Sequence, residues 1–162
     1  MNQKLISLLG AILFAGLIVG TLDAIAASFY SYGFSGASPA KVFRYVASGV
    51  FGKDAFTGGL PTAAWGLLFH FTVATGWTTL FYLLYPKINF FSSSKYISGI
   101  GYGIFIWLMM NEVVVPLSNV PPAPFHFTIR TAVMILIHMF IIGVPISYLA
   151  NRYYFIHPWQ NE

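Results

Sequence analysis

Two acids and two histidines fall inside otherwise apolar segments, in the order Asp23, His70, Glu112, His138. A charged side chain at the centre of a membrane costs ~2.5–3.5 kcal/mol on insertion scales, so such residues usually mark functional sites. Asn111 precedes Glu112 and adds an amide at the same level. The pattern predicts one polar site, for ligand binding or proton relay, built from all five residues.

Three kinds of chemistry fit this set. A histidine and a buried acid can bind a cation or small polar ligand and pass protons, because histidine titrates near neutral pH. His70, His138 and Glu112 could instead hold a divalent metal, since imidazole and carboxylate are common ligands. The two histidines could also be axial haem ligands, which is less favoured because no motif marks a haem pocket.

Other catalytic signatures are missing from the sequence. It has no cysteine, which excludes disulfides and thiolate chemistry. It has no Glu-x-x-His pair, no His-Glu-x-x-His motif and no nucleophile elbow. An enzyme acting on a lipid or quinone is therefore the least favoured function, and we name no catalytic residue.

Composition places the polar residues in a membrane protein. Of 162 residues, 57% are hydrophobic and only 7% charged, against about 25% charged in soluble domains. A spanning helix needs about 20 apolar residues. The sequence predicts a single all-α domain over residues 1–162, a bundle of four transmembrane helices near 5–32, 60–85, 96–116 and 131–153. The first apolar run is longer than a signal-peptide core and is expected to be the first span.

An amphipathic helix is predicted between the first two spans. Ser38 can cap it and Pro39 suits its first turn. Its apolar side faces away from Lys41 and Arg44 and comprises Val42, Phe43, Val46 and Val50. Such a helix is expected to lie in the membrane interface.

The second and fourth spans resemble each other. Each has an apolar triplet, then His70 or His138, then a glycine five or six residues later and a tyrosine. The first and third spans each carry an acid. The chain is therefore predicted to be two helix pairs, each an acid-bearing helix followed by a histidine-bearing one.

A structural role is the main alternative to a binding site. Pairs of glycines four residues apart, Gly16/Gly20 and Gly99/Gly103, are typical of close helix packing. They could pack against copies of the chain or a membrane partner, with the polar residues as interhelical glue. The chain would then be an accessory subunit.

The net charge of +4 comes from Lys and Arg at helix ends, which fits contact with lipid headgroups and not binding of nucleic acid.

Several segments resemble a family of small bacterial inner-membrane proteins with four predicted spans. They are GTLDAIAA, KVFRYVASGVFG, AFTGGL, GLLFHF and MNEVVVPLSNVPPAPF. The resemblance implies the four-helix fold and a bacterial inner membrane, and it implies no activity, substrate or catalytic residue.

The orientation in the membrane is predicted from the loops. Basic residues divide evenly between the two sides of the membrane, and the glycine-rich loops suit the outer side, which favours cytoplasmic termini.

Overall fold

The computed structural model describes residues 3–122 and 127–157, and these form helices with no strand among them. In chain order the helices are α1 Gln3–Ser35, α2 Pro39–Phe51, α3 Gly59–Leu84, α4 Asn89–Ser93, α5 Lys95–Leu117 and α6 Ile129–Ile156. Four of them, α1, α3, α5 and α6, are long and apolar enough to cross a membrane. The all-α, four-span prediction is confirmed, and the chain is a multi-pass membrane protein.

Two glycines on α1 allow α3 to approach closely. A Cβ atom built at Gly16 would lie 2.8 Å from Oγ1 of Thr75. One built at Gly20 would lie 2.7 Å from the ring of Phe71 and 3.3 Å from Cβ of Ala74. Lipid tails are as apolar as side chains, so membrane helices associate through close packing at small residues of this kind.

The pair α5 and α6 packs in the same way. A Cβ atom at Gly99 would lie 2.6 Å from Cα of Val144, and one at Gly103 would lie 2.6 Å from Cα of Met139. Gly143 on α6 faces back toward both α5 glycines. Both glycine faces that the sequence offered to copies or partners are thus filled from within the chain. An oligomer would have to use another surface.

Packing in the two pairs follows a common register. Gly20 and Gly103 face residues at or just after His70 and His138, while Gly16 and Gly99 face residues five or six positions further on. Because α1 and α5 begin at the same end of the bundle, the two pairs are related as parallel repeats. The register supports the predicted internal repeat.

The two pairs join along α1 and α6, and the bundle is left open elsewhere. The backbones of α1 and α6 are in contact, whereas those of α3 and α5 scarcely approach each other. Near one end, the gap is bridged by the hydroxyl of Tyr102, which donates a 2.7 Å hydrogen bond to the carbonyl of Trp77. Beyond that bond the helices enclose a cavity.

A tyrosine cluster closes the end of the bundle where α1 begins and α6 ends. The rings of Tyr85 and Tyr154 stack with centroids 5.0 Å apart. The Tyr154 hydroxyl donates to the carbonyl of Tyr82 at 2.7 Å, and Asn151 donates to the Tyr85 hydroxyl at 2.8 Å. Buried hydroxyls need such partners. The hydroxyl groups of Tyr85 and Tyr154 therefore have hydrogen-bond partners. We call the cluster of Tyr82, Tyr85 and Tyr154 the tyrosine plug.

Helix α2 covers the opposite end. It packs on α3 at Gly66, where a Cβ atom would collide with the carbonyl of Phe43. At its C-terminus, Asn119 donates from its backbone to Gly49 at 3.0 Å and from its side chain to Val50 at 2.9 Å. Gly52 then takes a φ of 62°, which favours glycine, and turns the chain. The predicted helix is present, although the Ser38 side chain makes no cap.

Two π-helical segments interrupt the spans, at Met110–Val114 in α5 and His138–Gly143 in α6. Each ends two residues before a proline, Pro116 or Pro145. Proline has no N–H to bond the carbonyl four residues earlier, so the turn before it is weakened. The kink predicted at Pro145 is expressed as a wider turn, and such turns are frequent at functional sites.

We expect Gly103→Ala to lower stability by ~1–3 kcal/mol, because the new methyl would press into the α6 backbone. Gly101→Ala is the matched control. Its Cβ atom would meet only the Phe90 ring, at an ordinary 3.6 Å, and alanine favours helix over glycine. Thermal unfolding of the two variants in detergent checks this, and equal stability would contradict the glycine-dependent packing.

Candidate functional site

A cavity of about 340 Å³ lies in the half of the bundle between the tyrosine plug and α2. All four spans and α2 contribute to its wall. Its polar wall residues are Asp23, Tyr30, Ser31, Tyr45, His70, Trp77, Asn111 and His138. Four of the five predicted site residues therefore share one cavity.

Asp23 and His70 form the centre of the site. Oδ2 of Asp23 lies 4.0 Å from Nδ1 of His70, and the two side chains are 23% and 12% exposed. Nε2 of His70 lies 2.8 Å from the carbonyl oxygen of Gly20. A carbonyl can only accept, so this nitrogen must carry the proton and donate.

That hydrogen bond fixes what faces Asp23. When His70 is neutral, its second nitrogen, Nδ1, presents a lone pair toward the Asp23 carboxylate. Two acceptors then face each other across 4.0 Å in an apolar bundle. The arrangement is stabilised by a proton on either group or by a cation between them.

His138 enters the same cavity from α6 and is 8% exposed. Its Nδ1 lies 2.8 Å from the carbonyl of Met134, one turn earlier in the same helix. By the same argument Nδ1 donates, and Nε2 is left as an acceptor in the neutral ring. His70 and His138 thus commit opposite nitrogens to the backbone.

Asn111 lies on the cavity wall from the π-helical turn of α5. Its side-chain nitrogen donates to the carbonyl of Trp107 at 2.8 Å, which leaves its oxygen as an acceptor.

At the α2 end, desolvation raises the pKa of the Tyr45 hydroxyl above its ordinary value of 10.0, so this group stays neutral at physiological pH.

Glu112 does not join the site. Its side chain is exposed, does not line the cavity and makes no hydrogen bond or ion pair with any described residue. Glu112 lies within the π-helical turn Met110–Val114, and the wider turn changes which side of α5 each position faces. The position equivalent to Asp23 in the second pair is Ile106, which does line the cavity.

The predicted metal set is not assembled. Across residues 3–122 and 127–157, no three His, Asp or Glu side chains are grouped closely enough to hold a metal ion. Glu112, the carboxylate ligand of the predicted set, lies outside the cavity that His70 and His138 share. The metal and haem hypotheses therefore gain no support from this geometry.

The cavity also uses residues that the sequence did not mark as functional. The apolar side of α2, assigned to the membrane interface, supplies Val42, Phe43 and Val46 to the wall. The Gly20 carbonyl orients His70. The sequence marked Gly20 only as a small residue suited to helix packing. That its carbonyl oxygen accepts from His70 depends on the register between α1 and α3.

No family model, curated protein or solved structure matches the chain.

The hydrogen bonds predict opposite tautomers for the two neutral rings. We expect nitrogen-15 spectra of histidine-labelled protein at high pH to show His70 protonated at Nε2 and His138 protonated at Nδ1, because each of those atoms faces a carbonyl. His70→Gln and His138→Gln variants assign the two signals. Finding the same tautomer at both positions would contradict the described site.

Proposed function

We propose that this chain is a bacterial inner-membrane protein that binds a small cation or donor-rich polar ligand at Asp23, His70 and His138, in exchange with protons. Coupling to proton or solute movement is part of the proposal. The observation that carries it is the 4.0 Å approach of His70 Nδ1 to Oδ2 of Asp23 on the cavity wall, while Nε2 of the same ring is bonded to the Gly20 carbonyl.

Electrostatics favour a positively charged or donor-rich ligand. Asp23 is an anionic group when ionised, and no Lys or Arg is found among the described residues that line the cavity. One nitrogen of each histidine ring is bonded to a backbone carbonyl, so Nδ1 of His70 and Nε2 of His138 remain as acceptors in the neutral rings. A proton, another small cation or an ammonium group can bind to these acceptors. An anion would instead be repelled by the ionised Asp23 carboxylate.

A structural role is supported by one contact. The bond from His70 to the Gly20 carbonyl joins α3 to α1 and acts as interhelical glue. It does not account for Asp23, which makes no hydrogen bond among the described residues and lies beside an open cavity. The two roles separate when stability and binding are measured on the same variant.

We expect methylammonium to bind the purified protein and Asp23→Asn to weaken that binding about tenfold or more, since a charge-assisted hydrogen bond contributes ~1.5–3 kcal/mol. Binding should also weaken as pH falls, because protons compete for the same acceptors. Calorimetry in detergent measures both effects.

Glu112→Gln is the matched control, because it removes an intramembrane acid that lies outside the cavity. It should leave methylammonium affinity within about twofold. Binding that is lost equally in both variants, or absent from the native chain, would overturn the proposed site. A large loss of thermal stability in Asp23→Asn without any binding in the native chain would support the structural role.

A further inference from the structure

A second, wholly apolar cavity adjoins the site on the lipid-facing side of α1, α2 and α3. Its volume is about 570 Å³. Ile25 and Phe29 on α1, with Leu67 and Phe71 on α3, form much of its wall. Because α1 and α3 are both spanning helices, this groove opens toward the hydrocarbon of the bilayer.

The groove adjoins the polar cavity. Ala24 and Phe43 line both of them. Ala24 directly follows Asp23, and its small side chain is part of the boundary between the two spaces. The Asp23 carboxylate, which lines the polar cavity, therefore lies next to the boundary with the groove.

The two spaces differ in chemistry in a way that fits an amphiphile. The groove offers hydrocarbon and no free charge, while the polar cavity offers the Asp23 carboxylate and the free nitrogens of His70 and His138. An ammonium head has three N–H donors and a positive charge, which match these acceptors. A carboxylate or phosphate head would instead face another anion.

We propose that the ligand of this site is a long-chain amine that enters from the bilayer, with its ammonium head at Asp23 and its alkyl chain in the groove. This inference rests on the proposed function, since it uses the same acceptors. It goes further in assigning the ligand an apolar tail and a lateral route of entry.

The test compares dodecylammonium with butylammonium on detergent-purified full-length protein, by equilibrium binding of the radiolabelled amines. Ile25→Trp fills the groove. Leu17→Trp is its matched control, because Leu17 is on the same helix, is similarly exposed at 57% against 50%, and does not line the groove. Leu67→Trp fills the groove from the α3 side and replaces Ile25→Trp if that variant unfolds.

We expect Ile25→Trp to weaken dodecylammonium binding about tenfold, because burial of each methylene strengthens binding about fourfold. The same variant should leave butylammonium affinity unchanged, and Leu17→Trp should change neither amine. Asp23→Asn should weaken both.

The outcomes separate this inference from the proposed function. If both amines depend on Asp23 but dodecylammonium is no more sensitive to Ile25→Trp or Leu67→Trp than to Leu17→Trp, the groove is ordinary lipid-facing surface and the inference is overturned alone. If neither amine depends on Asp23, the proposed function is overturned with it.

Discussion

Close approach of α3 to α1 at Gly16 and Gly20, and of α6 to α5 at Gly99 and Gly103, is the constraint from which the rest of this structure follows. Larger side chains at these positions would push α3 away from α1 and α6 away from α5. The first contact also brings the Gly20 carbonyl within 2.8 Å of His70, so the surface that packs the helices is the one that orients the ring. Packing and site geometry therefore cannot be changed independently in the first pair.

The second pair preserves the packing and loses the charge. Its counterpart of Asp23 is Ile106, and its histidine bonds within its own helix. One carboxylate thus serves a cavity built by two similar halves. A duplicated scaffold with an acid in both halves would place two negative charges in one apolar space, which is costly unless each is neutralised.

The sequence was sufficient to predict the fold because hydrophobic length and composition determine the number of spans directly. It also grouped Asp23, His70, Asn111 and His138 by depth, and these four residues line one cavity in the structure. It misplaced Glu112 because depth along a helix does not say which side a residue faces. That orientation depends on the rotation of the helix, which the π-helical turn Met110–Val114 changes at Glu112. The role of α2 was hidden for a similar reason, since an amphipathic pattern fits both a membrane interface and a cavity wall.

The tyrosine plug fills the end of the bundle where α1 begins and α6 ends. Tyr154 in the plug and Tyr102 on α5 donate hydrogen bonds to backbone carbonyls of α3, and their rings pack against neighbouring aromatic residues. A receptor needs only one opening to its binding site, whereas a carrier needs a second opening on the opposite side of the membrane. For this chain, alternating access would require those tyrosines to release α3. The free energy needed to open the plug would then add to the barrier for transport.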